Sequence, residues 1–238
     1  MMLKYEIVEV SNLSNSMKDS MYKLLEYYYA NVRWRDFISD LMEKQWAILL
    51  FSTSSNQLVG FSTQMCIVPE NKNFENCVVL YSGDTIIAHE YWGSITLPIA
   101  FLELVSEIKN NFPGKKVYWL LISKGLRTFK FLSVFLNDYY PNPNFPTPLS
   151  IKELMDAMGQ LKFGKKFNSE HGIIKANDND QYLKKEFQPE EKKENEVATF
   201  FFSKNPGYFK GDELLCMAEI SDANLHPFIK RLVSKHAK

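Results

Sequence analysis

Cysteine is scarce: Cys66, Cys77 and Cys216 are the three in 238 residues, and no CxxC spacing occurs. That excludes a disulfide framework and a thiolate zinc site of the usual spacing, and it fits a reducing, cytoplasmic setting. Long apolar runs are missing too. No stretch reaches 18 uncharged apolar residues, so no membrane-spanning helix is expected. The first residues, Met1-Met2-Leu3-Lys4-Tyr5-Glu6-Ile7-Val8, alternate like a strand and do not read as a secretory leader. Charge of one sign is absent. Lys and Arg total 28, as do Asp and Glu, which argues against a broad electrostatic grip on nucleic acid or an anionic membrane. There is no internal repeat.

What is present is an ordinary apolar fraction of 45% with many aromatics, 18 Phe and 12 Tyr. That is enough for a sizeable core and for an aromatic-lined cleft. Alternation predicts a strand over 3–10, the apolar residues Trp46, Ile48, Leu49 and Leu50 mark a second over 45–51, and a third over 58–68 makes a hairpin with it across the turn at Thr53-Ser54-Ser55-Asn56. A longer strand is expected over 78–88, interrupted by a bulge at Ser82-Gly83-Asp84. Helical spacing predicts helices from Ser14 or Ser16 to about Tyr29, over 36–43, over 97–109 and over 124–138. Val117 to Ile122 is a continuous apolar run, as expected of a strand buried on both faces. Four prolines within 141–148 forbid regular structure there. Beyond them the pattern predicts helices over 151–161 and 180–187 and a solvated loop over 190–194. Strands over 197–202 and 213–220, joined by turn residues at 205–208 and 210–212, and a final helix over 224–235 complete the expectation.

The stretch Thr85-Ile86-Ile87-Ala88-His89-Glu90-Tyr91-Trp92-Gly93-Ser94-Ile95-Thr96-Leu97-Pro98 resembles the fourth strand and pyrophosphate loop of the GNAT superfamily of N-acyltransferases. Ile87 falls on the strand position, Glu90 and Tyr91 match the family's Glu-Tyr, and Gly93 follows. Val117–Ile122 and the segment through Phe131 resemble the family's fifth strand and following helix. The resemblance covers about residues 3–138. It implies an α/β (α+β) fold with a mixed central sheet splayed between its fourth and fifth strands and flanked by helices. The whole chain, 1–238, is then one GNAT-like domain, with a core over 3–138, an insertion over 139–195, and late strands plus a terminal helix over 196–238. Three positions depart from the family motif: Trp92, Ile95 and Leu97 stand where Gln or Arg, Gly, and Gly or Ala are usual. Leu132 replaces the tyrosine that often acts as general acid.

The resemblance implies acetyl-CoA or another acyl-CoA as co-substrate, no metal, and a small-molecule amine or amino group as acceptor. Ile87, Ala88, Trp92, Gly93, Ser94, Ile95, Thr96 and Leu97 would form the cofactor loop, with Lys124 and Arg127, and Lys130 beyond them, as anion partners. Loop amides at a helix start attract a pyrophosphate because they are unpaired and carry partial positive charge. His89 and Glu90 at the strand end are candidate bases, since the attacking amine must lose a proton; both also read as exposed loop residues. Tyr81, with Asp84, flanks the expected bulge and is either re-aimed at the site or packed. Tyr139, Tyr140 and the proline-rich loop read equally as a cleft cover or as a packed chain crossing. The function so implied is an acyl-CoA-dependent N-acyltransferase. The alternatives are a catalytically inactive or cofactor-altered binding protein of the same fold, and a relative whose donor is an acyl carrier protein or aminoacyl-tRNA. A homodimer is left open.

Overall fold

The computed structural model describes residues 2–188 and 196–236, the last five as backbone alone. The expected loop over 190–194 lies outside the described residues. Two compact units are present. One comprises Met1–Tyr28, Val32–Val117 and Phe228–Lys238; the other comprises Tyr29–Asn31 and Tyr118–Pro227.

In chain order the elements begin with β1 (Leu3–Glu9), α1 (Asn15–Tyr28), β2 (Tyr29–Ala30), α2 (Trp34–Met42), β3 (Trp46–Ser52), β4 (Leu58–Ile67), β5 (Cys77–Ile87) and α3 (Thr96–Asn111). Then come β6 (Lys116–Ser123), α4 (Leu126–Phe135), α5 (Leu149–Phe163), β7 (Phe167–Asn168), β8 (Ile173–Ile174), β9 (Tyr182–Leu183), α6 (Glu196–Lys204), β10 (Glu213–Glu219) and α7 (Pro227–His236). Strands and helices mixed along the chain give the α/β class expected from the sequence. Among the described residues, no helix is long and apolar enough to cross a membrane.

In the first unit the strand order is β1-β3-β4-β5, antiparallel throughout. β3 is buried along nearly its whole length, which its continuous apolar sequence requires. α3 covers β1 and β3. It buries nine residues, from Leu97 to Ile108, and so presents a wider apolar face than a surface helix needs. α1 starts at Ser14, whose Oγ accepts the Met17 N–H at 3.2 Å and satisfies one of the helix's orphan donors. Its buried stripe is Met21, Leu25 and Tyr28.

In the second unit β10 lies between β6 and β8, with β7 beyond β8. α5 packs on β10, and its Gly159 lies where a Cβ would stand 2.6 Å from the Phe167 ring. Three expectations fail here. Residues 197–202 are part of α6, not a strand, so among the described residues β10 is the one long late strand. The run is rich in Phe, but Ala198, Phe201 and Asn205 are the buried positions, and their spacing is helical. Residues 180–187 are not a helix: Tyr182 and Leu183 pair with Ala30 and Tyr29, and a short 3-10 turn follows. Asn205–Asp212 is not a hairpin turn but a helix-to-strand link through a 3-10 turn at Tyr208–Lys210.

Tyr139 is buried against Phe129, and Tyr140 exchanges two 2.8 Å backbone hydrogen bonds with Met217. This start of the proline-rich segment is thus a packed chain crossing. The cysteines are interior residues: Cys77 and Cys216 are buried, Cys66 is half-buried, and burial pushes all three thiols above their ordinary range.

Candidate functional site

β5 carries the expected bulge. Ser62 faces Thr85 and Gln64 faces Ser82, so Thr63 alone opposes both Gly83 and Asp84. On this hairpin the Ser82 hydroxyl donates to Gln64 Oε1 at 2.8 Å, Gln64 Nε2 donates to Ser62 Oγ at 2.7 Å, and the Ser62 and Thr85 hydroxyls lie 2.6 Å apart. A row of polar side chains is therefore satisfied within the sheet. Thr63 Oγ1 is buried and has no hydrogen-bond partner among the described residues.

Lys44 closes the bulge from the turn that follows α2. Its side chain has no exposure, yet its ammonium donates to the Asp40 carboxylate at 2.7 Å and to the Asp40 carbonyl at 2.9 Å. The same ammonium lies 5.5 Å from the Tyr81 ring centre. Paired in this way, the buried charge is tolerable. Gly83 has to be glycine, because a Cβ would stand 2.6 Å from Thr63 Oγ1 and 2.8 Å from Lys44 Cε. Tyr81 is 2% exposed and faces the interior under this lysine.

The chain leaves β5 through a tied loop. The Ala88 N–H donates to the Val59 carbonyl at 2.7 Å, and the His89 N–H donates to the Tyr28 hydroxyl at 2.9 Å. A 3-10 turn spans His89–Tyr91, with the His89 and Glu90 side chains exposed. Trp92 folds back so that its indole N–H donates to the Ile87 carbonyl at 2.8 Å, with its ring 4.1 Å from the His89 ring. Gly93 follows at φ +86°, a left-handed turn that glycine adopts without strain, and its missing Cβ faces open space. The Ser94 N–H donates to the Tyr91 carbonyl at 3.1 Å, and Ser94 Oγ accepts the Thr96 N–H at 3.2 Å.

That accounting leaves specific amides over. Among the described residues, the N–H groups of Gly93, Ile95 and Leu97 donate to no protein group. They sit at the start of a helix of 16 residues, where the backbone dipole favours an anion. Leu97 and Pro98 turn their side chains into the core, while Ile95 is 41% exposed. Of the bulky residues at the motif's small positions, Leu97 is thus directed away from solvent.

Lys124 and Arg127 belong to the second unit. Lys124 is held 5.5 Å from the Tyr29 ring centre and 3.4 Å from the Glu213 carboxylate. Arg127 is exposed in the first turn of α4 and Lys130 is half-buried. Leu132 is fully buried. Asp180 lies near this cation. Burial opposes its ionisation, but the Asn177 N–H, the Lys166 ammonium and the charges of Lys166 and Lys124 outweigh burial and hold its carboxyl below the ordinary range. Among the described residues, no group of three or more His, Cys, Asp or Glu could hold a metal.

Sequence reasoning missed Tyr28 and Lys44. Tyr28 reads as one more apolar position of α1, and its hydroxyl's partner lies 61 residues away. Lys44 reads as solvated, since only the fold encloses its stem.

No family model matches the sequence, and no curated protein sequence is significantly similar. Solved structures do overlap with it. An acetyltransferase from Trypanosoma brucei is 16% identical over 54% of this chain and 87% of its own, with a TM-score of 0.37. Escherichia coli ElaA is 18% identical over 59% of this chain and 93% of its own, with a TM-score of 0.38. A predicted acetyltransferase from Clostridium acetobutylicum, solved with acetyl-CoA, is 15% identical over 50% of this chain and 80% of its own, with a TM-score of 0.37. Two of these three carry the name acetyltransferase. Overlap of this size bears on neither activity nor substrate.

Proposed function

We propose that the chain is an acyl-CoA-dependent N-acyltransferase, joining an acyl group to an amine with release of the thiol. The observation that supports this reading most is the set of Gly93, Ile95 and Leu97 amides without a protein partner, at the start of α3 and beside an open left-handed glycine. Those residues fit a pyrophosphate, which needs several converging N–H donors and close backbone approach. Acyl-CoA would supply an activated thioester. The chain's part is to orient the donor by its phosphates and to take a proton from the attacking amine. In this reading His89 and Glu90, exposed at the loop's first turn, take that proton. His89 is fixed at its backbone by Tyr28, and its ring lies tilted against that of Trp92. Tyr81, enclosed beneath Lys44, is a packed residue in this reading and not a base.

Calorimetry with acetyl-CoA and longer acyl-CoAs tests the proposal. Millimolar or tighter binding is expected, weakened roughly tenfold or more by Gly93→Val, which forces a β-branched residue into φ > 0. Absence of binding to every acyl-CoA at millimolar ligand sinks it. One observation favours a second reading. Leu132, where relatives often carry the acid for the leaving thiolate, is a sealed core residue, as expected of a module that binds without turning over. Acyl-CoA binding with no thiol release across an amine panel would select that reading.

A further inference from the structure

β1 ends the sheet order of the first unit, so one of its edges is unpaired there. Backbone parity shows which residues line that edge. The Met2 carbonyl accepts from the Thr53 N–H and the Val10 N–H donates to the Gln45 carbonyl, so even-numbered positions turn their backbone groups toward β3. In an antiparallel pair a residue's N–H and C=O point to the same side. Leu3, Tyr5 and Ile7 therefore direct theirs outward, and among the described residues no protein group outside the strand pairs with them. A strand of seven residues with an open ladder is a template for another strand.

We propose that the occupant is a second copy of this chain, its β1 pairing antiparallel with the first about a two-fold axis at Tyr5. Tyr5 then faces Tyr5, and Leu3 faces Ile7, as hydrogen-bonded pairs formed by the outward groups. The even positions fall opposite each other as non-hydrogen-bonded pairs. Lys4 of each copy faces Glu6 of the other, so two opposite-charge cross-strand pairs form by symmetry. Met2, 78% exposed, falls opposite the half-buried Val8. The neighbouring registers of the same parity oppose Glu6 to Glu6 or Lys4 to Lys4, and like charges directly opposite are destabilising. Charge and apolar matching thus select one register. The Lys4 ammonium lies 5.6 Å from the Phe51 ring of its own sheet, and the Tyr5 hydroxyl donates to Glu103, so both side chains stand off the sheet and leave the backbone edge open. The pairing is independent of any acyl-CoA binding.

Sedimentation of the full chain over a concentration series spanning about two decades around micromolar tests it, with thermal melts reporting folding. A monomer–dimer equilibrium is expected. Lys4→Glu and Glu6→Lys, each placing like charges opposite twice, should weaken it roughly tenfold or more. The double variant exchanges the charges and should restore the original affinity. A chain that stays monomeric throughout, a dimer that neither reversal weakens, or a double variant that fails to recover each overturns the proposal.

Discussion

The β1-β3-β4-β5 ladder and the strands around β10 reach order by different means. The first is built of strands of seven to eleven residues whose apolar side chains repeat with the sheet period and are covered by α1 and α3. The second has one comparable pair, β6 with β10, and its other strands are two residues each. Short strands close few backbone hydrogen bonds, so side chains supply the rest. Asp212, 6% exposed, accepts the Ala176 N–H at 3.0 Å and the Lys175 ammonium at 2.6 Å. Asn205, fully buried, donates to the Asp212 carbonyl at 2.8 Å. Asn224 donates to the Asp138 and Glu219 carbonyls at 2.7 and 2.8 Å and accepts the Asp138 N–H at 2.7 Å. One region is held by area removed from water, the other by a few buried polar side chains that hydrogen-bond the backbone, although Asn205 Oδ1 finds no partner among the described residues.

The contrast can be broken from either side. The largest effect is expected in the first region. Leu104→Ala removes a side chain with no exposure from α3 and should cost about 2–5 kcal/mol, read in a denaturant melt. Asp212→Ala attacks the second region. The exposed Lys175 contributes little to the pair, but the Ala176 N–H loses its acceptor, so a cost of about 1–3 kcal/mol is expected in the same measurement. If Asp212→Ala is neutral, the view that buried polar groups stand in for strand length fails.

The smallest effect is a pH dependence of the first region. The hydrogen bond to Glu103 pushes the Tyr5 phenol up to about 12, aided by burial and then by the carboxylate's charge. The folded protein thus holds this proton more tightly than the unfolded chain, whose phenol titrates at the ordinary tyrosine value of about 10. Its contribution is complete below about 10 and falls away as pH rises through about 12. Spectrophotometric titration should show one late-ionising tyrosine that Glu103→Gln brings back toward the others. An unchanged titration would remove Glu103 as the cause.

The same contrast governs what could be read from the residues. β1, β3, β4, the bulge in β5 and the apolar face of α3 were legible because side-chain period and burial coincide there. Residues 197–202 and 180–187 misled. A Phe-rich run is compatible with strand or helix, and the β9 backbone is committed to Tyr29 and Ala30, far earlier in the chain. In the candidate site, the loop between β5 and α3 was placed from its sequence. Which amides remain over was not, because that depends on the Ser94 hydroxyl taking one N–H and on the turn at Gly93 turning others outward. Lys44 was invisible because enclosure of a lysine is a property of the fold around it.

The bulge at Gly83 has a consequence for how this chain can vary. Gly83, Lys44 and Thr63 occupy one volume: the lysine stem and the threonine hydroxyl fill the space a side chain at 83 would need. None of the three can change size alone, so their substitutions should be epistatic. Room at 83 requires both the Lys44 stem and the Thr63 hydroxyl to give way, and a side chain introduced at 83 before that passes through a clash. The spare Thr63 hydroxyl lies at that junction, the one member of the trio that could be exchanged for a non-bonding group without orphaning a partner.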